Sequence, residues 1–354
     1  MDFQDSQQLN VGLIGYGLAG SVFHAPLIAT TAGLRLAAVV TGHPERQAQA
    51  RREHPDTTVL ADPQELWAAA PQLDLVVVAS PNRSHLPLAT AALTAGLPVV
   101  VDKPLTATAA EGEQLVRQAQ ERGLLLSVFQ NRRWDGDFRT VQELVRSGRL
   151  GTVHRFESRF ERWRPELKGG WRESGDPAEV GGLLYDLGAH LVDQALTLFG
   201  PAVRVYAELD ARRAGAQSDD DSFVALSHAD GTRSHLWMSA TAGELGPRFR
   251  VLGSTGAYVC HGLDGQEDAL RTGRTPADPD WGITAREHWG SLHSGDAEQP
   301  VATLPGAYQE YYAGIAAALR GRGPAPVDPR EAVAALRVLE AAQQSARTGQ
   351  AVAL

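Results

Sequence analysis

Val11-Gly12-Leu13-Ile14-Gly15-Tyr16-Gly17-Leu18-Ala19-Gly20 is the stretch on which the fold turns. A short apolar run leads directly into G-x-G-x-x-G, and a helix-like segment follows. A strand, a tight glycine turn and a helix in that order are what a dinucleotide-binding unit requires. Gly15 suits the tight turn, Gly17 lets the backbone approach a pyrophosphate, and Gly20 lets the new helix pack closely. The helix aims its free N–H groups and the positive end of its dipole at the phosphates. Glycine turns without a ligand are common, so the weight lies in the strand–turn–helix context and its place near the start of the chain.

Outward from this loop, apolar runs rich in Val and Leu recur at residues 11–15, 34–41, 73–80, 98–102 and 124–129. Each is too short for a helix and nearly free of polar residues, as strands buried on both faces of a parallel sheet are. Helix-like segments at 44–54, 62–70, 84–95 and 108–122 separate them, the last two stopping near Gly96 and Gly123. The alternation predicts a doubly wound sheet. After about residue 150 the pattern changes. Residues 203–209, 223–228, 234–239 and 249–252 interleave polar with apolar side chains, and Asp230-Gly231 marks a hairpin. Helices are expected at 136–147, 184–199, 307–319 and 329–348. The expected fold is α/β: a Rossmann domain over 1–128 and an α+β domain over 129–354 with a large open, mostly antiparallel sheet. Residues 263–281, rich in Gly, Asp, Arg and Pro, read as a long ordered loop.

The chain's 354 residues suit two domains. A formal charge of -9 argues against nucleic acid and anionic membranes as partners. Cys260 is the only cysteine, which excludes an intramolecular disulfide and a multi-cysteine zinc site; no metal is expected. The start of the chain (Asp2, Gln4, Asp5, Gln7, Gln8) lacks the order of a signal peptide, and no apolar run reaches the ~18 residues of a membrane span. A cytoplasmic protein is expected.

Three further places carry chemistry. The second apolar run ends Val40-Thr41-Gly42-His43, without the acid that commonly binds the ribose of NAD. Thr41, His43 and Arg46 together suit a 2′-phosphate, which favours NADP over NAD, although for Arg46 alone a solvated helix residue is the commoner reading. Val101-Asp102-Lys103-Pro104 places a lysine just past a buried strand, held extended by the proline, in the crevice where open α/β sheets bind ligands. Such a lysine can donate to a substrate hydroxyl; a plain loop lysine is the alternative. Asp186, His190 and Asp193 have i, i+4, i+7 spacing and share one expected helix face behind Gly181-Gly182. Histidine suits proton transfer near neutral pH, and Asp186 can orient a substrate. A solvent-facing polar stripe is the competing reading.

The glycine loop, the Lys-Pro pair and the D-x-x-x-H helix, in that order, resemble the Gfo/Idh/MocA oxidoreductase family over nearly the whole chain. Residues 15–26, 130–138, 163–173 and 264–281 resemble its NADP-dependent scyllo-inositol dehydrogenase group. The resemblance implies catalytic roles for Lys103, Asp186 and His190. It implies that Ser80, Pro81, Asn82 and His85, with Leu18, Asp102 and Lys103, lie beside the cofactor. It also offers Arg132, Arg133, Trp134, Arg164, Trp171 and Tyr185 as lining for a polyol pocket. One departure is Asp102, where the family has Glu, a carboxylate one methylene shorter. The implied reaction is reversible hydride transfer between NADP(H) and a CH–OH or ketone carbon of a polyol or sugar, in a homodimer or homotetramer. Other sugar oxidoreductases of the family, and a nucleotide sensor without turnover, are the alternatives.

Overall fold

The structure, a computed structural model, describes residues 8–177 and 179–354. Asp2, Gln4, Asp5 and Gln7 of the polar start lie outside the described residues, as does the side chain of Trp171. The chain divides into two compact units. One takes the chain up to Asn131 together with Gln266–Trp281 and Ala307–Ala332; the other takes Arg132–Gly265, Gly282–Gly306 and Val333–Leu354.

The first unit is built on a six-stranded sheet. Its strands, numbered along the chain, are β1 (Leu9–Ile14), β2 (Leu34–Val40), β3 (Thr58–Leu60), β4 (Leu75–Val78), β5 (Val99–Asp102) and β6 (Leu126–Phe129). They lie in the order β3-β2-β1-β4-β5-β6, and every pairing is parallel. This is the doubly wound order, which reverses between β1 and β4. The apolar runs are explained by burial. Val76, Val77, Val78, Val99, Val100 and Val101 are all fully buried, each stabilising the sheet by roughly 1.5–3 kcal/mol. The intervening helices are α1 (Ala25–Thr30), α2 (Pro44–Glu53), α3 (Pro63–Ala68), α4 (His85–Thr94) and α5 (Ala109–Glu121). Capping boxes start α3 at Asp62 with Glu65 and α5 at Thr108 with Glu111. Only the short edge strand β3 escapes the sequence pattern.

The second unit carries nine strands: β7 (Val153–Glu161), β8 (Ala202–Asp210), β9 (Asp221–His228), β10 (Arg233–Ser239), β11 (Phe249–Gly253), β12 (Ala257–Cys260), β13 (Gly290–Ser294), β14 (Ala297–Val301) and β15 (Val352–Ala353). Their order is β14-β13-β12-β11-β7-β10-β9-β8-β15, antiparallel except for β7 beside β10. One face packs on α6 (Gly136–Arg146) and α7 (Ala189–Phe199) through Phe138, Phe156, Phe199 and Phe249, with ring centroids 5.5–6.2 Å apart.

Two returns of chain were not anticipated by a single boundary at 128/129. Residues 263–281, expected as a loop, contain α8 (Gln266–Arg271), whose Gln266 is buried. Gln266 accepts the Tyr308 N–H at 2.8 Å, just ahead of α9 (Gln309–Leu319). From α9, the Tyr311 hydroxyl donates to Ser127 Oγ at 3.1 Å and its ring meets Phe129 edge-on. The Tyr311 contacts pack α9 against the edge strand β6. The last helix is α10 (Pro329–Thr348). No helix among the described residues is long and apolar enough to cross a membrane.

Candidate active site

The glycine loop leaves β1 at the carboxyl edge of the parallel sheet. Gly15 has φ +101°, and a Cβ there would lie 2.5 Å from the Ala79 carbonyl oxygen, so only glycine fits. A Cβ on Gly20 would overlap the Gly15 carbonyl. Gly17 differs: the nearest atom to its missing Cβ is Arg46 Nη1, at 3.7 Å. No packing within the chain demands glycine at 17, and the space in front of it is an open cradle of the kind a pyrophosphate needs. The helix that follows begins as a π-helical turn, Ala19–His24, and continues into α1.

The other expected cofactor residues lie on loops after neighbouring strands of the same edge. Thr41 is buried beyond β2 and its carbonyl accepts Gln47 Nε2 at 2.8 Å, while His43 and Arg46 are exposed. Ser80 Oγ meets Ser84 Oγ at 2.6 Å, and Asn82 is buried. His85 is a strut between loops: Nδ1 lies 2.7 Å from the Pro104 carbonyl and Nε2 2.9 Å from that of Ser80. Burial lowers its pKa against the pull of Asp102.

Asp102 ends β5 and accepts the Lys103 N–H at 2.9 Å. Its Oδ1 is 3.8 Å from Nε2 of His24, a buried residue whose Nδ1 meets the Tyr312 hydroxyl at 2.6 Å. Burial alone would raise the Asp102 carboxyl; His24, with Lys103 and His85, outweighs it and holds the group below the usual carboxylate range. The shorter carboxylate therefore keeps Lys103 and two imidazoles around it. Lys103 follows on a bend, half-buried, with a cis peptide to Pro104.

In the second unit, residues 184–199 form not one α-helix but a π-helical turn, Leu184–Gly188, followed by α7. Asp219 organises the start. Its carbonyl accepts Leu183 N–H at 2.9 Å, and its Oδ2 accepts Leu184 N–H at 2.7 Å and the Ser222 hydroxyl at 2.6 Å. Gly182, at φ +100°, leaves the room that the Asp219 carboxylate occupies. Asp186 emerges half-buried, 3.5 Å from Arg172 Nε. His190 is buried on α7. Asp193, expected on the same polar face, is taken up by Arg133 in a bidentate pair of 2.8 and 2.6 Å. Gln194 adds a second tie, donating to the Arg132 carbonyl at 2.9 Å.

The expected pocket lining divides. Arg132 is buried, 3.3 Å from Asp135 Oδ2 and over the Phe160 ring. Tyr185 is buried too, with the charges of Glu340, Asp219 and Arg347 acting on its hydroxyl. Both serve the interior of the unit. Trp134 is half-buried and Arg164 exposed. The sequence reading missed His24, Arg172 and Asp219, because each matters through a partner remote in the chain. Among the described residues no group of three or more His, Cys, Asp or Glu side chains is placed to hold a metal ion.

Comparison with known proteins fits this arrangement. Residues 9–130 match the family model described as the oxidoreductase family's NAD-binding Rossmann fold, and residues 142–354 match its C-terminal alpha/beta domain. An oxidoreductase of Escherichia coli K12, YdgJ, is 43% identical, with 97% of each chain covered. The scyllo-inositol 2-dehydrogenase (NADP(+)) IolW of Bacillus subtilis is 37% identical over 98% of this chain and 96% of that one. Among solved structures, the yvaA oxidoreductase of Bacillus subtilis superposes with a TM-score of 0.93 at 36% identity, covering 98% of this chain and 99% of that one. The YPO2259 oxidoreductase of Yersinia pestis gives 0.92 at 42%, covering 99% and 98%. With both domain models matched in order and relatives alike from end to end, the chain belongs to the Gfo/Idh/MocA oxidoreductase family.

Proposed function

We propose that the protein is an NADP-dependent dehydrogenase of a cyclic polyol or sugar, interconverting a CH–OH carbon and its ketone, with scyllo-inositol and the corresponding inosose as the favoured pair. The observation that carries this reading is the open cradle at Gly17 beneath an exposed arginine, in the unit that also places Lys103 at the end of β5. Full-length likeness to a scyllo-inositol 2-dehydrogenase supports the substrate class.

The nicotinamide, when bound, supplies the hydride acceptor. The backbone at Gly15, Gly17 and Gly20 holds the pyrophosphate, and Thr41, His43 and Arg46 receive the adenosine ribose with its 2′-phosphate. Leu18 and Ser80, Pro81 and Asn82 line the same edge, and His85 holds the Ser80 loop to the Lys103 loop. Lys103 hydrogen-bonds the reacting oxygen and stabilises the negative charge that grows there. His190 removes the hydroxyl proton at a ring nitrogen as the C–H bond gives up its hydride. Asp186 accepts a neighbouring hydroxyl and fixes the ring, with Arg172 holding the carboxylate. In the reverse direction the proton returns to the ketone oxygen from His190 or Lys103. The half-exposed face of the nine-stranded sheet, with Phe223 and Trp237 side by side and Arg159 over Trp237, favours a homo-oligomer paired through that face. A cytoplasmic setting suits the composition.

Initial rates with NADP+ and NAD+ against scyllo-inositol, myo-inositol and glucose test the reading. Turnover of scyllo-inositol with NADP+ above the other pairs is expected. A preference for glucose would move the substrate to the sugar branch, and a preference for NAD+ would overturn the cofactor assignment.

A further inference from the structure

α2 is an unusual helix to find beside a ligand cradle. Its sequence, Pro-Glu-Arg-Gln-Ala-Gln-Ala-Arg-Arg-Glu, is polar nearly all round, and Ala50 is its one buried residue. Such a helix has no apolar stripe with which to grip the sheet. At its first turn, Arg46 is exposed and makes no ion pair among the described residues, and its guanidinium stands over Gly17. At its last residue, Glu53 Oε2 accepts the hydroxyl of Tyr16 at 2.6 Å, and Gln49 Nε2 steadies Oε1 at 3.0 Å. Tyr16 is the residue between the first two glycines of the loop, 1% exposed. Burial, with the hydrogen bond and charge of Glu53, raises its phenol, so it stays a donor. Arg46 and Glu53 are seven residues apart, which returns to the same helix face within about 20° and spans about 10 Å. One face of α2 thus lies along the loop, with the guanidinium at one end and the clasp at the other.

We propose that the Tyr16–Glu53 hydrogen bond is a positioning contact for cofactor choice: it holds α2 in rotation and register so that Arg46 meets the 2′-phosphate of NADP. The inference rests on the NADP reading. With a helix that buries so little, loss of the clasp lets α2 roll, and the guanidinium leaves the phosphate while the glycine loop keeps its own hold on the pyrophosphate. Tyr16 and Glu53 touch no nucleotide in this account; they act through Arg46.

The test is equilibrium titration of NADPH and NADH, read by the nucleotide's fluorescence. The proteins are wild type, Arg46→Ala, Tyr16→Phe, Glu53→Ala, Glu53→Gln and the double variant Tyr16→Phe/Arg46→Ala. Arg46→Ala should weaken NADPH by about tenfold or more, the loss of one charge-assisted contact, and spare NADH. Tyr16→Phe and Glu53→Ala should weaken NADPH by roughly three- to tenfold and leave NADH within about twofold, because the contact they disturb is partial. Glu53→Gln, which keeps an acceptor for the phenol, should restore most of the preference. The double variant should bind NADPH no more weakly than Arg46→Ala. Equal weakening of both nucleotides in Tyr16→Phe would make the clasp a support of the loop alone and overturn the inference, as would no change. A wild type indifferent to the 2′-phosphate, with Arg46→Ala silent, would overturn the NADP reading itself, an outcome distinct from the other two.

Discussion

Burial pushes the Asp137 carboxyl up to about 6, with Arg248, 3.4 Å away, opposing the shift and Asp264 adding to it. In the unfolded chain the same group sits near ~3.9. The folded state therefore holds this proton more tightly, and the stability it contributes is present below about pH 4 and lost as pH rises through about 6. Asp137→Asn should remove that dependence. The variant's Tm relative to wild type should climb between about pH 4 and pH 7; a constant difference across that range would place the shift elsewhere. Other single residues show why some roles are legible and others are not. Gly15 and Gly20 announce themselves, because only their residue type fits against Ala79 and Gly15. Arg132 and Tyr185 look equally like pocket residues in a sequence, since nothing local says that Arg132 will lie over the Phe160 ring or that Tyr185 will be buried. Glu53 is an ordinary helix carboxylate until the fold brings Tyr16, 37 residues earlier, to its tip.

At the level of elements, the segment carrying Asp186 and His190 is decided by a residue from another strand connection. The half-buried Asp219 carboxylate accepts both the Leu184 N–H and the Ser222 hydroxyl, whose own residues are buried. Its removal leaves those donors without an acceptor, at about 1–3 kcal/mol for each buried group. Asp219→Ala should lower kcat and leave nucleotide binding unchanged, whereas Asp219→Asn, which keeps an oxygen in place, should retain most of the rate. Lower thermal stability with kcat intact would reduce Asp219 to a support of the fold. Periodicity finds the helix over residues 184–199 but not its π-helical first turn, which the Asp219 contacts accompany. β7 escaped because its outer face reads Arg155, Glu157, Arg159, Glu161; the buried Glu157 is matched by arginines at 2.9–3.2 Å, pairings supplied by the neighbouring strand and by β7 itself. α8 escaped because six residues are too few for a helical period to show.

For the whole molecule, the doubly wound sheet was readable because strands buried on both faces leave unbroken apolar runs. The division of the chain was not, since the return at Ala307–Ala332 meets β6 through Tyr311 and the return at Gln266–Trp281 meets Tyr308 through Gln266, contacts made between residues far apart in the chain. The sheet order brings the glycine loop, the Thr41–Arg46 turn, the Ser80 loop and Lys103 to one edge of one unit, while Asp186 and His190 belong to the other. The account's central claim is the proposal that Lys103, at this edge, serves a hydride transfer. The most direct measurement is the initial rate of scyllo-inositol oxidation with NADP+ for wild type and Lys103→Ala, with NADPH affinity measured on both. The account predicts turnover in the wild type, a loss of about 10²–10³-fold in Lys103→Ala, and nucleotide affinity kept within a few-fold. Turnover undiminished in Lys103→Ala would contradict it.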